Sequence, residues 1–508
     1  MRIEALAVWD LLPGRLIELR PTAAAAAAAA VAVADDEPGS VLQENHLRSS
    51  AAAAAEGRVH TAYLGAFTIV DGAVDAAAMC RALARFVDRH GGLRTRFTVD
   101  GARIVRHRIP GDAVAFEAHG IGTVDHDAEI VLDATGWRGT HQEFFTNLYS
   151  AQANALRWPG FAFGFVDHGD QFTMFLGIDH AISDGVSQTF ALNEIHEFYL
   201  AESQGLPLSP YTAHPTDSFI DYARIERAET ATLSTSSPDV AELIEIYLAN
   251  GGGMPRFALD LGLAPGETAP WFGVRQRLLD DAEANAFESL VTAAGFKVPS
   301  ALYALLATLD REIAGRRSYF GINVVSSRST GNFMLSQGWF CHFATVAFEI
   351  GETATFLECL SHAHQGYRRA RRLASVSPEL IFAGLLEAGV APSEIFRSPN
   401  MVSYIDFRQF PANGSPAYDN GMQFTGEGRT SNASLWVTRE SDGLYAGSQT
   451  PDTPVANSVI ARYFTRMVAV LRDIVDTGDH RITDVDFDTI AEISFTGTAR
   501  GHQAQPCT

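Results

Sequence analysis

Two distant parts of the chain show the same succession of an amphipathic helix and an apolar strand. In Val74–His90 the apolar residues recur at steps of three and four, which predicts a helix, and Leu93–Val99 follows as a strand. The same order returns in Val298–Gly315 and Ser318–Arg328. Because each such unit needs a partner layer to bury its apolar face, the repetition predicts two related lobes, each a mixed sheet flanked by helices.

Between these parts the composition changes toward residues that interrupt regular structure. Thr230–Pro238 consists almost wholly of Thr, Ser and Ala, and prolines and glycines are frequent on both sides of it. We therefore predict an N-terminal lobe over residues 1–210, a linker over 211–255 and a C-terminal lobe over 256–490. Residues 491–508 are mostly small and polar and are expected to form a flexible tail.

Composition narrows the function classes. The 508 residues are 46% hydrophobic, enough for large cores, and their net charge is −22. So acidic a chain is not expected to bind nucleic acid or to adhere broadly to an anionic membrane, since both need clustered Lys and Arg. The four cysteines form no C-x-x-C pair, which argues against a disulfide framework or a zinc site and for reduced thiols; they are Cys80, Cys341, Cys359 and Cys507.

The N-terminal region contains no basic-then-apolar order of a secretory signal. Its Ala-rich run, Ala23–Ala34, has only small residues and is shorter than the ~20 apolar residues of a membrane span. We interpret the run as a surface helix or a linker. The chain is thus expected to be a soluble cytoplasmic protein without a transmembrane segment.

The most informative stretch joins a buried strand to a turn of polar residues. Phe172–Ile178 is almost continuously apolar, and a helical pattern resumes shortly after Gly185. In between stand Asp179, His180 and Asp184, on the rigid support that a buried strand provides. Simpler roles exist for each: Asp184 as a helix N-cap, Gly185 for a close backbone approach, and His180 as a hydrogen-bonded core histidine.

The spacing D-H-x-x-x-D-G resembles the H-H-x-x-x-D-G signature of the condensation-domain and chloramphenicol-acetyltransferase-like superfamily. The chain looks closest to the polyketide-associated (Pap-type) acyltransferases that build mycobacterial trehalose lipids. The resemblance implies an α/β (α+β) fold of two acetyltransferase-like lobes with an active-site tunnel between them. Further segments that resemble the family are VWDLLPGRLIELRPT at the start, Leu42–Arg48, Ala82–Phe97, Arg103–Ile109 and Ser336–Phe340, the last similar to the family's D-F-G-W-G element.

The resemblance implies a role for each matching residue. His180 matches the catalytic histidine, a general base that takes the proton of an acceptor hydroxyl as it attacks an acyl thioester. Asp184 matches the aspartate that pairs with an arginine of the second lobe and holds the histidine loop, with Gly185 beside it. Arg328, at the end of a predicted strand, is the candidate partner. No G-x-S-x-G or reactive-cysteine signature is found, which agrees with direct transfer.

Two positions depart from the superfamily pattern. Asp179 replaces the first histidine of the signature, where it would orient the loop or tune His180; neighbours along a strand point apart, so direct contact with the His180 ring is not expected. In the second element Ser336, Gln337 and Phe340 replace family residues, while Trp339 remains. We expect Trp339 to pack in the core, with contact to substrate as the alternative.

Further candidates come from the C-terminal half. Ser434 lies where the superfamily often places a hydroxyl near the developing oxyanion, although NASLWV is also an ordinary strand pattern. Asn400 and Ser403 are weaker candidates. A basic run is either a solvated helix face or a contact for the phosphates of an acyl donor; it comprises Arg368, Arg369, Arg371 and Arg372.

No metal site is predicted, because the scattered histidines lack an H-E-x-x-H-like spacing; they include His196, His342, His362 and His364. The resemblance implies no permanently bound cofactor. The leading hypothesis is an O-acyltransferase that moves a long-chain or polyketide acyl group from a CoA or carrier-protein thioester to a hydroxyl of trehalose or another lipid alcohol.

Two other functions stay open. One is a free-standing condensation enzyme that forms an amide or an ester in nonribosomal peptide or polyketide synthesis, and the other is a non-catalytic scaffold. The expected partners are acyl-CoA, or an acyl carrier with its polyketide synthase, together with a small hydroxyl acceptor. We expect a cytoplasmic monomer, with a peripheral contact at the inner face of the membrane as an alternative location.

Overall fold

The computed structural model describes residues 1–101, 103–328, 331–493 and 495. The described part of the chain forms two compact units. Unit 1 comprises Met1–Glu229, Ser326–Cys341 and Gln409–Glu427, and unit 2 comprises Thr230–Val325, His342–Arg408 and the chain from Gly428 onward. Two segments from the C-terminal half of the sequence therefore belong to unit 1. The linear lobe boundaries drawn from composition stay a prediction, and the tail residues 496–508, with Cys507, lie outside the described residues.

The strands, numbered in chain order, are β1 (Arg2–Ile3), β2 (Gly14–Pro21), β3 (Val33–Asp35), β4 (Tyr63–Asp71), β5 (Thr95–Asp100), β6 (Arg103–Arg108), β7 (Phe116–Val124), β8 (Glu129–Leu132), β9 (Arg138–Thr140), β10 (Phe161–Asp167), β11 (Gln171–Asp179), β12 (Ala269–Asp280), β13 (Ser318–Ser326), β14 (Cys341–Glu349), β15 (Met401–Asp406), β16 (Met422–Thr425), β17 (Arg429–Thr430), β18 (Ser434–Glu440) and β19 (Gly443–Pro451).

The α-helices are α1 (Ala23–Ala30), α2 (Val41–Ala55), α3 (Ala76–Arg89), α4 (His141–Gln152), α5 (Gly185–Gln204), α6 (Pro210–Ala213), α7 (Phe219–Thr230), α8 (Pro238–Ala249), α9 (Asp281–Ala293), α10 (Val298–Ala314), α11 (Phe356–Leu373), α12 (Pro378–Glu387), α13 (Pro392–Ile395), α14 (Pro416–Asp419) and α15 (Pro454–Thr477).

Unit 1 is built on a nine-stranded sheet in the order β1-β16-β4-β11-β10-β2-β7-β8-β9. All its neighbours run antiparallel except β1 and β16. The inner strand β11 is buried from Phe172 to Asp179, as its apolar run predicts. Apolar faces of α3 and α5 share a core with β4, β10 and β11, so the turn that follows β11 leaves from the centre of the sheet.

Unit 2 is built on a seven-stranded sheet in the order β14-β13-β15-β18-β19-β12-β17. The pairs β13–β15 and β15–β18 are parallel, whereas β18–β19, β19–β12 and β12–β17 are antiparallel. Helix α10 is buried along almost its whole length. The predicted mixed α/β class is confirmed, because both units combine sheets with packed helices.

The segment predicted as a linker contains regular structure. Helices α7 and α8 occupy much of residues 211–255, and the Ser/Thr-rich Thr230–Pro238 only joins them. The apolar residues of α8 recur with helical spacing and are buried; they are Val240, Leu243, Ile246 and Tyr247. Because many Pro and Gly residues surround these helices, the local sequence is typical of a linker although it contains this periodicity.

Smaller differences concern the ends of elements and the proposed repeat. The expected strand Leu93–Val99 begins at Thr95, because Gly91–Arg94 form a 3-10 turn, and the strand from Ser318 ends at Ser326. Strand β5 pairs with β6 in a separate three-stranded sheet, β3-β6-β5, whereas β13 lies in the main sheet of unit 2. The helix–strand repeat is therefore only partial.

The Ala-rich run forms α1 over Ala23–Ala30 and then continues into β3. Among the described residues no single helix has the length and apolar character to cross a bilayer; α9 and α10 meet these criteria only together, with a bend of 100° between them.

Candidate active site

His180 stands directly after β11, at the start of a short 3-10 turn over His180–Ile182. The turn is anchored by backbone, since the His180 N–H donates to the Ala62 carbonyl at 3.1 Å. Helix α5 begins three residues later at Gly185, with Asp184 as its N-cap. The candidate base is therefore held between a central strand and the first turn of a buried helix.

Asp184 and Arg328 form a buried, bidentate ion pair within unit 1. Arg328 Nη1 donates to Asp184 Oδ2 at 2.6 Å, and Nη2 donates to Oδ1 at 2.9 Å. Arg328 is 3% exposed and Asp184 is 5% exposed. Such fork-to-fork geometry gives charge-assisted hydrogen bonds and a defined orientation, so the pair ties the turn after β11 to the segment around Ser336–Phe340.

The Asp184 carboxylate also accepts two backbone hydrogen bonds. The Ser187 N–H donates to Oδ1 at 2.7 Å, which is the N-cap bond, and the Phe340 N–H donates to Oδ2 at 2.9 Å. Burial acts to raise the pKa of Asp184, but the charge and hydrogen bonds of Arg328 outweigh it, so the pKa lies below its ordinary value. The sequence suggested two alternative roles for Asp184, a helix N-cap and a partner of Arg328, and in the structure it has both.

Asp179 is fully buried and makes no hydrogen bond to the His180 ring. Its Oδ1 accepts the Ala181 N–H and His46 Nε2, both at 2.7 Å, and its Oδ2 accepts the Ala155 N–H at 2.7 Å. Burial acts to raise its pKa, but the His46 hydrogen bond and the charges of His46 and His60 bring the pKa below its ordinary value. Asp179 thus joins the turn to two other segments of unit 1.

The His180 ring packs against Trp339. Their ring centroids are 4.1 Å apart with planes inclined by 40°. His180 is partly exposed, while its Nδ1 is buried and has no hydrogen-bond partner. Burial is the largest influence on the pKa of His180 and lowers it from the ordinary 6.5, and the nearby charge of His46 lowers it further. The imidazole is therefore neutral at neutral pH, the form that can accept a proton.

Trp339 differs from its expected role in one respect. It packs against a buried aromatic cluster, as expected, but it is only partly buried itself and also covers the candidate base. Its indole N–H donates to Cys341 Sγ at 2.8 Å. Burial raises the pKa of the Cys341 thiol, so the sulfur stays protonated and serves as a weak acceptor. The other described cysteines, Cys80 and Cys359, are also free.

Gly185 does not provide the close backbone approach considered above. A Cβ built at this position meets no atom within 4 Å, and its φ is not left-handed. The Gly185 carbonyl accepts the Thr189 hydroxyl at 2.7 Å, an ordinary contact in the first turn of a helix. The described residues contain no packing reason for glycine here.

Sequence reasoning missed His46 and His60, which meet Asp179 from elsewhere in unit 1. His46 lies within Leu42–Arg48, a segment quoted only for its family resemblance. His60 Nε2 is 3.5 Å from Asp179 Oδ2. Because these contacts span more than a hundred residues of sequence, no local pattern connects the three side chains.

These three side chains also have the chemistry of metal ligands, and their ligand atoms lie within 4.8 Å of one another. However, the distance of 2.7 Å between His46 Nε2 and Asp179 Oδ1 is that of a hydrogen bond. Two ligands around a tetrahedral zinc ion would stand about 3.3 Å apart at ordinary bond lengths. The arrangement therefore fits a hydrogen-bonded cluster.

The remaining histidines considered above form no such group within the described ranges; they are His196, His342, His362 and His364. His364 Nδ1 lies 3.1 Å from the Ser300 hydroxyl, and His362 Nδ1 lies 2.9 Å from the Glu349 carbonyl. Burial lowers the pKa of His196 to about 4, so its ring is neutral.

Ser434, Asn400 and Ser403 belong to unit 2. Ser434 begins β18 opposite Gln449 of β19. The Asn400 side-chain amide donates to the Ala433 carbonyl at 2.8 Å, just before Ser434, and Ser403 lies in β15 opposite Trp436. Their catalytic roles stay predictions.

The basic run lies on α11 of unit 2 and is partly neutralised. Arg372 pairs with Asp239 at 2.7 Å and with Glu242 at 2.5 Å, and Arg369 donates to the Ala347 carbonyl at 2.6 Å. Arg368 and Arg371 are exposed. These contacts fit a solvated helix face, and contact with an acyl donor stays a prediction.

Comparisons with known proteins agree with the fold. The Condensation domain family matches residues 57–235. The 2'-acyl-2-O-sulfo-trehalose (hydroxy)phthioceranyltransferase PapA1 of Mycobacterium tuberculosis is 27% identical, covering 94% of this chain and 89% of PapA1. The trehalose-2-sulfate acyltransferase PapA2 of the same species is 26% identical over 92% of this chain and 96% of PapA2. A solved structure, the PapA2 acyl transferase, superposes with a TM-score of 0.79 at 22% identity, covering 94% of this chain and all of the other.

The fold is thus that of the condensation-domain and chloramphenicol-acetyltransferase-like proteins, and the D-H-x-x-x-D-G turn lies within the residues that match the Condensation domain family. The chain is similar over nearly its whole length to the Pap acyltransferases PapA1 and PapA2. The resemblance read from the motifs is confirmed.

Proposed function

We propose that this protein transfers a long-chain or polyketide acyl group from a thioester to a hydroxyl group of trehalose or of another sugar or lipid alcohol, with His180 as general base. The observation that carries the proposal is the neutral, partly exposed His180 at the end of a buried strand. Its turn is held from one side by Asp179 and from the other by the Asp184–Arg328 pair.

The acyl transfer requires one general base, and the His180 imidazole can supply it. The imidazole takes the hydroxyl proton while the oxygen attacks the thioester carbonyl, and the tetrahedral intermediate expels the thiolate, which recovers the proton. A new C–O bond replaces the C–S bond, with no change of oxidation state. A positioned base of this kind contributes about 10²–10⁴-fold to a rate.

The names of the relatives guide the choice of substrates. PapA1 and PapA2 are named as transferases that act on sulfated trehalose, so trehalose and trehalose-2-sulfate are the first acceptors to test. The proposed donor is acyl-CoA or an acyl carrier protein. Cytoplasmic location, a monomeric state and peripheral contact with the membrane remain predictions.

The first prediction concerns the product. The purified protein, given palmitoyl-CoA with trehalose, trehalose-2-sulfate or a fatty alcohol, is expected to form an O-ester that mass spectrometry detects together with free CoA. An amine acceptor is offered in parallel, because the Condensation domain match favours amide synthesis as the second candidate function. Formation of the amide without the ester would contradict the proposal and support a condensation enzyme. If neither a CoA donor nor a carrier-protein donor gives a product, both enzyme hypotheses are contradicted and a non-catalytic scaffold is favoured.

The second prediction concerns pH. A general base works only when it is neutral, and the pKa of His180 lies below 6.5 because of burial and of the nearby His46, although Asp184 and Asp179 oppose this. Hence kcat/KM should remain level as the pH falls through 6.5 and should decline only at lower pH, as one group becomes protonated. A decline that is already complete at pH 6.5 would contradict a lowered pKa.

A further inference from the structure

The buried carboxylate of Asp179 accepts more hydrogen bonds than a histidine at the same place can accept. Three donors reach it within 2.7 Å: the N–H groups of Ala155 and Ala181, and Nε2 of His46. A neutral imidazole offers a single acceptor nitrogen, whereas a carboxylate offers two oxygens with several lone pairs. Aspartate at this position, in place of the signature's first histidine, therefore suits a site where His46 donates.

The bond to Asp179 also defines the state of His46. Since an ionised carboxylate is only an acceptor, Nε2 of His46 must carry the proton in this bond. The His46 side chain is 9% exposed, so the bond is largely shielded from water. The bond thus links His46 on α2 to Asp179, the residue directly before His180.

His46 also reaches the base by a second route. Its ring meets Trp339 edge to face, with centroids 5.7 Å apart and planes at 85°, and Trp339 in turn covers the His180 ring. The buried Nδ1 of His180 has no hydrogen-bond partner. The packing of Trp339 against the His180 ring therefore restrains the plane of that ring.

We infer that His46 is a positioning residue for acyl transfer: through Asp179 it holds the turn that carries His180, and through Trp339 it holds the plane of the His180 ring. This rests on the proposed function, with His180 as the base. His46 itself touches no reacting atom in this account. We therefore expect replacement of His46 to lower kcat, because misplacing a catalytic group by about 1 Å costs about 10²-fold in rate.

Three substitutions separate the two routes. His46→Gln retains an N–H donor for Asp179 and loses the aromatic edge, His46→Phe retains the edge and loses the donor, and His46→Ala loses both. We expect His46→Ala to lower kcat by about 10²-fold, with the other two in between and KM within about threefold of the parent. His119→Gln, at a half-exposed histidine outside the site, is the matched control and should leave kcat unchanged.

The test also includes an NMR measurement that reports on the His180 ring itself and not on the folded fraction. In protein labelled with ¹³C at histidine Cε1, the His180 resonance is identified by its loss in His180→Ala. The ring current of Trp339 should displace this resonance in the parent and in His46→Phe, and the displacement should shrink in His46→Gln and His46→Ala. Rates are normalised to the folded fraction measured by thermal unfolding, so that a loss of folded protein is not counted as a loss of kcat.

The outcomes distinguish the inference from the function on which it rests. If His180→Ala abolishes turnover but the folded His46 variants keep the parent kcat and the parent resonance, the positioning role is wrong and the proposed function stands. If His180→Ala retains turnover, the proposed function itself fails. A loss confined to KM in the His46 variants would also overturn the inference, since it would place His46 in substrate binding.

Discussion

Replacement of His180 by alanine is expected to lower acyl transfer by about 10²–10⁴-fold, the usual contribution of a positioned general base. The substitution removes the ring that packs against Trp339 but disturbs no ion pair of the turn, because Asp184 and Asp179 keep their partners. The rate is measured as free thiol released from the acyl donor in the presence of the acceptor. A glutamine variant of similar volume checks that the loss follows from the missing base and not from a cavity.

The control for this experiment is His119→Ala, at a half-exposed position of β7. It should retain the parent rate. Unchanged turnover in a folded His180→Ala protein would refute the catalytic-base role. The pH profile provides a second check: the rate of the parent should decline at low pH, and the residual rate of His180→Ala should not show this decline.

Replacement of Asp184 by alanine is expected to destabilise the fold at least as severely as it impairs catalysis. Arg328, 3% exposed, would be left without its counter-charge, and breaking a buried pair in this way costs about 3–5 kcal/mol. The N-cap bond to the Ser187 N–H would be lost as well, at about 1 kcal/mol. The quantity to measure is the denaturant midpoint of the transition in which unit 1 unfolds.

An exposed pair of the same chemistry provides the matched control. Asp221 and Arg224 lie at 3.3 Å on α7 with half or more of each side chain exposed, and Asp221→Ala should cost less than about 1 kcal/mol. The double variant Asp184→Ala, Arg328→Met should be less destabilised than the sum of the two single variants, because it leaves no buried charge unpaired. A native-like midpoint for Asp184→Ala alone would contradict the structural role.

Local sequence signals identified the main elements around the site. The apolar run Phe172–Ile178 predicts β11, which extends by one residue at each end, and the Asp-Gly step marks the start of α5. The amphipathic pattern beginning at Val74 predicts α3, which starts after its N-cap Asp75. Such signals succeed where the burial of a single element, on one face for α3 and on both faces for β11, decides which of its residues are apolar.

The same signals did not predict α7 and α8, two short helices that lie among Pro and Gly residues within 211–255. They also overstated the likeness between β5 and β13, because the pairing of a strand depends on the distant strands available to it. The environment of Asp179 was missed for the same reason: a motif states which residue types are adjacent in sequence, not which side chains arrive from other segments.

The sequence alone indicated the resemblance to the Pap acyltransferases, the turn that carries His180, and the residue types of the Asp184–Arg328 pair, since all of these depend on local pattern and on motifs within one short stretch each. The tertiary structure alone decided that Asp179 bonds to His46 and that Trp339 covers the His180 ring. The physical reason is that hydrogen-bond partners of a buried carboxylate and packing partners of an aromatic ring are set by the meeting of segments far apart in the chain. Only folding brings these segments together.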